Sequence, residues 1–283
     1  MEVILAEQAG FCFGVDRGME QVEEWISSGK QVFTYGPMIH NESVLDNLSN
    51  RGVRVIHSAS ELSGEKSGVV VIRSHGVTKA EQAALEKTGL TIVDGTCPYV
   101  KKIHNYACKY SEKGYHILII GDAAHPEIRG ICGWVKDGNY SVVNSEEELN
   151  KISISQENKV LILVQTTYNL NKFKYLVEKF RKTRYDTIVR NTICTATKER
   201  QEAAKELSYL VDAMIVIGGK ESSNSRKLFE ICSENCVNTY FIQTVQDLKT
   251  VDFSRCEKVG ITAGASTPNN IIKEVQNYVR NEF

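Results

Sequence analysis

The sequence predicts an α/β protein built from three pseudo-symmetric repeats with mainly parallel sheets. Three observations lead to this prediction. A cysteine is followed by a polar side chain at the same interval of 28 residues three times, in the pairs Cys12 and His40, Cys97 and His125, and Cys194 and Ser222. A second pattern also recurs, in which a hydroxyl residue is followed three positions later by an acid and then by Leu; it starts at Ser58, Ser145 and Thr244. Continuous apolar runs alternate with helical spacing throughout, so the chain contains three copies of one unit.

The repeats divide the 283-residue chain into three predicted domains. When each unit begins at the strand before its cysteine, the domains cover residues 1–88, 89–184 and 185–283. The composition is 42% hydrophobic, enough for each domain to bury a core. No Pro-rich or Ser-rich linker separates the repeats, so we expect packed lobes.

Apolar runs predict four strands in each repeat. The predicted strands are Val3–Ala6, Val32–Tyr35, Val53–Ile56, Val69–Ile72, Thr91–Val93, Ile117–Ile120, Tyr140–Val143, Val160–Val164, Thr187–Val189, Ala213–Ile217, Tyr240–Ile242 and Lys258–Ile261. The segments between them show helical spacing, as at Ala203, Leu207 and Leu210. Buried strands that alternate with amphipathic helices are typical of parallel sheets covered by helices. The hydroxyl residues of the second recurring pattern are predicted to begin short helices as capping boxes.

Cys12, Cys97 and Cys194 each follow a predicted strand and begin a predicted helix. Helix N-termini stabilise anions, so thiolates that bind soft metals are favoured there. A single cysteine is more often a buried apolar residue, but recurrence in all three repeats favours shared metal ligation. Three thiolates can hold Zn²⁺ or an iron–sulfur cluster, and the residue types do not separate these alternatives. In a cubane cluster, three cysteines leave one iron without a protein thiolate.

Five further cysteines lie outside this pattern, and we interpret them as structural or incidental. They are Cys108, Cys132, Cys232, Cys236 and Cys256. The spacing of the last three leaves a secondary metal site as the alternative.

The loops after the strands carry hydrogen-bonding side chains. They are His40, Asn41, His75, His125, Gln165, Thr166, Thr167, Ser222, Ser223, Asn224 and Ser266. A single Ser or Asn at a helix start is more often an N-cap than a ligand contact. Together, donors at helix N-termini beyond the carboxyl ends of parallel strands suit a phosphate or diphosphate.

Glu127 is the carboxylate of this group, two residues after His125. We interpret it as a general acid, provided that burial raises its pKa, with an ordinary surface charge as the alternative. The remaining histidines lie outside the repeated loops and receive no function; they are His57, His104 and His116.

Composition excludes several classes of function. The 34 basic and 35 acidic side chains are balanced, which argues against nucleic-acid binding. No apolar run reaches the roughly 18 residues of a membrane span, and the first residues lack the basic flank of a signal peptide. We therefore expect a cytoplasmic protein without membrane contact, where eight cysteines point to metal binding rather than to disulfides.

The ordered motifs of the chain resemble those of the 4-hydroxy-3-methylbut-2-enyl diphosphate reductase family. They are GFCFGV, GPMIHN, RSHGV, DGTCPYV, AHPE, QTT, NTIC, SSNS and GAS, and together they extend over essentially the whole chain. The resemblance implies a trefoil of three α/β lobes around one central [4Fe–4S] cluster. Cys12, Cys97 and Cys194 would bind this cluster, leaving an open iron for the substrate hydroxyl.

The resemblance also implies the reaction and the residues that carry it. Two electrons and two protons would remove the hydroxyl oxygen as water, giving isopentenyl and dimethylallyl diphosphates through an allyl intermediate. The implied diphosphate-binding residues are His40, His75, His125, Ser222, Ser223, Asn224 and Ser266. Glu127 would deliver protons and Thr166 would order the substrate hydroxyl, with Thr167 and Gln165 as nearby support and His125 beside them in the catalytic group. Reduced ferredoxin or flavodoxin would supply electrons, since no flavin or nicotinamide motif is present.

Two other functions fit the residues. A zinc lyase or hydrolase acting on a phosphorylated substrate would also use three thiolates. An electron carrier or sensor would hold a cluster that never touches substrate, and would not need Glu127.

Overall fold

The computed structural model describes residues 1–155, 157–183 and 185–282, in which strands and helices alternate. The strands are β1 (Glu2–Leu5), β2 (Val32–Tyr35), β3 (Arg54–Ile56), β4 (Val69–Ile72), β5 (Thr91–Asp94), β6 (His116–Ile120), β7 (Tyr140–Val143), β8 (Val160–Val164), β9 (Thr187–Val189), β10 (Ala213–Ile217), β11 (Thr239–Ile242) and β12 (Lys258–Ala263). The α-helices are α1 (Phe13–Ser27), α2 (Glu42–Asn50), α3 (Lys79–Glu86), α4 (Pro98–Ser111), α5 (Pro126–Cys132), α6 (Glu146–Lys151), α7 (Leu170–Arg181), α8 (Thr195–Ser208), α9 (Ser223–Ser233) and α10 (Asn269–Glu282). Short 3-10 helices cover Ala59–Leu62, Lys136–Gly138 and Val245–Leu248.

The strands form three parallel sheets of four strands each, which confirms the predicted α/β class. The strand orders are β1-β12-β10-β11, β3-β2-β4-β5 and β7-β6-β8-β9. Every residue of β4, β8 and β10 is buried. Strands covered on both faces need apolar side chains on both faces, which is why continuous apolar runs located them in the sequence.

The first strand of each predicted repeat pairs within the sheet of another repeat, the preceding one for the second and third repeats and the last one for the first. β5 pairs with β4, β9 pairs with β8, and β1 pairs with β12. A helical crossover such as α3 delivers the next strand to the edge of the sheet just completed. The sheet boundaries therefore differ from residues 1–88, 89–184 and 185–283, which stay a prediction about sequence repeats. The last of these ends at Phe283, outside the described residues.

The chain divides into two compact units. The first consists of Met1–Asp16, Ile39–Asn47 and Cys194–Phe283, and it contains the sheet of β1 and β10 to β12. The second consists of Arg17–Met38 and Leu48–Ile193, and it contains the other two sheets. In the second unit, Ile103 and Ala107 of α4 pack with Ile117 and Ile119 of β6, so the helix after Cys97 is fixed to a sheet.

Two of the three predicted capping boxes are present. Ser58 and Thr244 each begin a 3-10 helix with the reciprocal hydrogen bonds of that motif. Ser145 begins α6 and accepts from the backbone N of Glu148 at 3.2 Å. The Glu148 carboxylate accepts instead from the backbone N of Asn144 at 2.6 Å, so this third box is incomplete. Over the ranges that the structure covers, no helix has the length and apolarity needed to span a bilayer.

Candidate functional site

The three repeated cysteines lie at helix starts, as predicted. Cys97 is the N-cap of α4 and Cys194 is the N-cap of α8, while Cys12 directly precedes α1. The Cys194 Sγ accepts a hydrogen bond from the backbone N of Thr197 at 3.3 Å. All three are half-buried thiols. Backbone N–H groups at a helix start stabilise a thiolate, so each position suits a soft-metal ligand.

A buried cation accompanies two of these cysteines in the first unit. Arg200 of α8 is 2% exposed. Burial lowers the pKa of its guanidinium, whereas electrostatic interactions with Cys12 and Cys194 raise that pKa. A buried charge is stabilised by nearby opposite charges, so thiolates at these positions suit Arg200 better than neutral thiols. The residues present therefore fit a metal group held by thiolates.

The loop before Cys97 is also fixed by an arginine, within the second unit. Arg17 of α1 donates to the carbonyl oxygens of Thr96 at 3.2 Å and Asp94 at 3.3 Å. The backbone N of Cys97 donates to the carbonyl oxygen of Ser74 at 3.0 Å. These bonds set the direction in which the cysteine loop leaves β5.

The other cysteines have the chemistry of structural thiols. Burial raises the pKa of Cys132 to about 11 and that of Cys232 to about 12. Burial also raises the pKa of Cys108 and Cys256. Cys236 is buried. A raised thiol pKa disfavours the thiolate that a metal requires, which supports the structural interpretation.

Glu127 and Thr166 form a buried pair in the second unit. Glu127 is 1% exposed, in the first turn of α5. Thr166 donates to its carboxyl group twice, from the backbone N at 2.7 Å and from Oγ1 at 2.5 Å. Burial raises the pKa of Glu127 to about 7, although the hydrogen bonds from Thr166 act in the opposite direction. A carboxyl group with this pKa can hold and release a proton near neutrality.

Two predicted histidines lie next to this pair. His125 is the N-cap of α5, and its Nδ1 accepts from the backbone N of Glu127 at 3.2 Å. In the neutral ring Nε2 therefore carries the proton and can donate it to an anion. The rings of His75 and His125 meet edge to face, with centroids 5.3 Å apart. Gln165 supports the neighbouring loop, because its Nε2 donates to Thr167 Oγ1 at 3.2 Å.

A second cluster of polar side chains lies in the first unit, at the start of α9. Ser222 is the N-cap, and its Oγ accepts from Ser225 Oγ at 2.9 Å and from Ser266 Oγ at 3.5 Å. Ser223 is the first residue of the helix. Asn224 is 5% exposed, and neither its Oδ1 nor its Nδ2 has a hydrogen-bond partner among the described residues. A buried amide without partners costs about 1–3 kcal/mol, so this side chain is suited to a polar ligand.

The backbone carbonyl group of His40 lies close to Gly219, in the loop that leads to Ser222. A Cβ at Gly219 would lie 1.9 Å from the His40 carbonyl oxygen, so only glycine permits this contact. The next residue, Asn41, begins α2: its Oδ1 accepts from Ser43 Oγ at 2.8 Å and from Val44 N at 3.3 Å. Asn41 therefore has a capping role.

His104, which received no function from the sequence, supports the loop that bears His75. Its ring is 5% exposed and stacks on Trp134 with centroids 5.3 Å apart. Burial lowers the pKa of His104 to about 4, so the ring is neutral. A Cβ at Gly76 would lie 2.6 Å from its Cε1, and the Trp134 Nε1 donates to the Val77 carbonyl oxygen at 2.9 Å.

The sequence motifs and this arrangement of side chains agree with one protein family. A family model described as LytB protein matches residues 3–280. The chain belongs to the LytB protein family.

The curated relatives of this LytB chain that are described here all carry the name of the same enzyme. A 4-hydroxy-3-methylbut-2-enyl diphosphate reductase from Thermoanaerobacter sp. (strain X514) is 43% identical over 282 residues, covering 99% of this chain and 97% of the relative. The Geobacter sulfurreducens enzyme of the same name is 43% identical over 275 residues, covering 97% and 95%. The predicted reductase family and oxidoreductase class are therefore confirmed.

Solved structures give the same result for the LytB fold. The E-1-hydroxy-2-methyl-but-2-enyl-4-diphosphate reductase from Plasmodium falciparum has a TM-score of 0.90 at 27% identity, over 99% of this chain and 87% of that chain. A structure titled (E)-4-hydroxy-3-methyl-but-2-enyl diphosphate reductase, the terminal enzyme of the non-mevalonate pathway, has a TM-score of 0.70 at 40% identity, over 99% of both chains.

Proposed function

We propose that this chain reductively dehydroxylates 4-hydroxy-3-methylbut-2-enyl diphosphate to isopentenyl and dimethylallyl diphosphates. In this reaction the C–O bond of the substrate breaks and its oxygen leaves as water. Two electrons and two protons are consumed, one proton going to the departing oxygen and one to the carbon skeleton. Membership of the LytB family supports the reaction, and the side chains below support its details.

The buried carboxyl group of Glu127 is the observation that carries the proposal. Hydroxide is a poor leaving group, so C–O cleavage needs an acid that protonates the departing oxygen. An acid with a pKa of about 7 is protonated in a useful fraction of molecules near neutrality and still releases its proton readily.

Thr166 connects this acid to the substrate. Its Oγ1 donates to Glu127 Oε2 at 2.5 Å. When Glu127 carries the proton on Oε2, the same hydrogen bond reverses, and the Thr166 hydroxyl hydrogen becomes available to the substrate oxygen. The backbone bond from Thr166 N to Oε1, at 2.7 Å, holds the carboxyl group in place during this exchange.

The donors described above would bind the diphosphate. In the first unit they are His40, Ser222, Ser223, Asn224 and Ser266, and in the second unit they are His75 and His125, with Thr167 nearby. Neutral and protonated donors at helix N-termini bind phosphate oxygens without an arginine cage. The amide of Asn224 lacks partners within the described residues, and a phosphate oxygen would accept from its Nδ2.

Cys12, Cys97 and Cys194 would hold one [4Fe–4S] cluster. When bound, the cluster supplies electrons and, at the iron that lacks a cysteine, Lewis acidity toward the substrate hydroxyl. Reduced ferredoxin or flavodoxin would be the electron donor, as the family resemblance implies.

The experiment is anaerobic purification followed by metal analysis and an assay. We expect brown protein with iron and sulfide that consumes the hydroxylated diphosphate when dithionite and a viologen dye supply electrons. Cys97→Ser should lose iron and sulfide, whereas the matched variant Cys236→Ser should retain both. Stoichiometric zinc without iron or sulfide in the wild-type protein would overturn the proposal in favour of a zinc enzyme.

A further inference from the structure

Arg200 is the largest fully buried side chain in the first unit. It lies in the second turn of α8, the helix that begins at Cys194. Removing a guanidinium from water costs several kcal/mol unless opposite charges and hydrogen bonds compensate. The surroundings of this side chain therefore require an explanation.

Two of the three hydrogen bonds of Arg200 go to backbone carbonyl groups in the loop before Cys12, and the third goes from Nη1 to the Ala196 carbonyl oxygen of its own helix at 3.5 Å. Its Nε donates to Gln8 O at 2.7 Å and its Nη2 donates to Gly10 O at 2.8 Å. Carbonyl oxygens satisfy the donors but carry no net charge. Within the described ranges, Arg200 forms no ion pair with a carboxylate, and the groups that interact with it electrostatically are Cys12, Cys194 and the exposed Glu199.

The loop that Arg200 binds has an unusual backbone. Gln8 has a φ of 62° and Gly10 has a φ of 100°. A left-handed conformation at a residue other than glycine is unfavourable and persists only where neighbouring contacts impose it. The two hydrogen bonds from Arg200 are such contacts, and this loop ends at Cys12.

We infer that Arg200 is a positioning residue that fixes the Cys12 loop and raises the reduction potential of the cluster. This inference rests on the proposed function, because it concerns the group that Cys12 and Cys194 would bind. Each electron that enters a cluster adds negative charge. A fixed positive charge in a buried environment stabilises the reduced state relative to the oxidised state.

Arg17 is the matched control within the same chain. It binds two carbonyl groups of the loop before Cys97 in the same way, but at 3.2 and 3.3 Å. Arg17 is only half-buried, so solvent screens its charge. Loss of Arg17 should therefore change the potential less than loss of Arg200.

The test compares Arg200→Gln, Arg200→Lys and Arg17→Gln with the wild-type holoenzyme, prepared anaerobically. Iron and sulfide content are measured first, and the midpoint potential is then measured by redox titration followed by EPR. We expect Arg200→Gln to disfavour reduction about tenfold, equivalent to about 59 mV for one electron. Arg200→Lys and Arg17→Gln should each change the midpoint by less than half of that amount.

Three outcomes would overturn the inference. One is an unchanged midpoint in Arg200→Gln with a full cluster. Another is an equal change in Arg200→Lys, since the charge would then be irrelevant. The third is loss of the cluster from Arg200→Lys, which would make the role purely structural. If only Arg200→Gln loses its cluster, a wild-type midpoint in Arg200→Lys supports the inference. Wild-type protein without iron and sulfide would instead refute the proposed function.

Discussion

The Glu127 carboxyl group and the Asn224 amide are both buried, but their hydrogen bonding differs. Glu127 accepts two hydrogen bonds from Thr166. Asn224 makes no hydrogen bond with either atom of its amide among the described residues. Proteins satisfy almost all buried polar groups, so the second case is the unusual one.

Under the proposed function, this difference separates two ways of preparing a site. The proposed proton donor, Glu127, has its hydrogen-bond partner within the protein. The proposed anion-binding amide of Asn224 makes no hydrogen bond with the described residues, so a ligand would supply the missing hydrogen bonds. The following changes test this contrast.

The largest effect is expected from Glu127→Gln. An amide keeps the shape of the side chain but cannot deliver a proton, so turnover should fall by about 10²–10⁴-fold. The cluster spectrum should not change. Glu206→Gln, which alters an exposed acid of α8, is the control and should keep full turnover. Equal turnover of the two variants, measured anaerobically with dithionite and a viologen dye, would contradict the assigned acid.

The same variant should show how much ionisation of Glu127 lowers the free energy of unfolding. The pKa of Glu127 is raised from 4.5 to about 7, so the folded protein binds the proton more tightly than the unfolded chain. Stability relative to Glu127→Gln is therefore highest below a pH of 4.5, declines up to about 7 and is constant above it. The total loss is about 3 kcal/mol. Melting temperatures of both proteins across this range measure it, and a constant difference between them would argue against a raised pKa.

Asn224→Ala should weaken substrate binding without destabilising the ligand-free protein. The substitution removes an amide that makes no hydrogen bond with the described residues, so KM should rise about tenfold while the free energy of unfolding is unchanged or higher. Asn169→Ala is the contrasting variant, because Asn169 Oδ1 accepts from Asn171 N at 2.9 Å and Lys172 N at 3.0 Å. That variant should lose about 1 kcal/mol of stability. Similar destabilisation in both, by chemical denaturation, would remove the contrast.

Thr166→Val is expected to have the smallest effect on the acid itself. The hydrogen bonds from Thr166 lower the pKa of Glu127, and valine removes the one from Oγ1. The pKa should therefore rise further, and the alkaline limb of kcat/KM should move to higher pH. A limb that stays in place or moves to lower pH would show that the hydroxyl does not stabilise the carboxylate.

The strands could be predicted from sequence to within two residues at each end. β4, β8 and β10 were located because fully buried parallel strands are continuous apolar runs. The pairing of β1 with β12 could not be predicted in the same way. Sequence repeats show where a unit recurs, whereas strand pairing depends on which sheet edge a crossover reaches.

Helix α8 shows why part of the site was missed. The helical spacing of Ala203, Leu207 and Leu210 predicted a helix here, but Leu210 lies beyond its last residue, Ser208, and is 65% exposed. The observed buried face runs through Thr197, Arg200 and Leu207. An arginine is assumed to be solvated unless a partner is known, and two of the hydrogen-bond partners of Arg200, Gln8 and Gly10, lie 192 and 190 residues earlier in the chain. Arg200 lies about two helical turns before Leu207 and so on the same face of α8. That spacing was the sequence signal that could have predicted its burial.

The recurring cysteines and Glu127 were more accessible to prediction. Cys97 and Cys194 begin helices directly after strands, a position that local sequence specifies well. The partner of Glu127 was harder to predict, because Thr166 lies 39 residues away. Only the resemblance placed both residues in one catalytic group.

The parallel pairing of β1 with β12 sets an order for folding during synthesis. Residues 2–5 are synthesised more than 250 residues before their partners, residues 258–261. The N-terminal strand must therefore wait for nearly the whole chain, while the sheets of β2 to β5 and β6 to β9 can form from contiguous sequence. Cys12 and Cys194, which belong to this late-closing unit, would reach their final positions only after β12 has been synthesised.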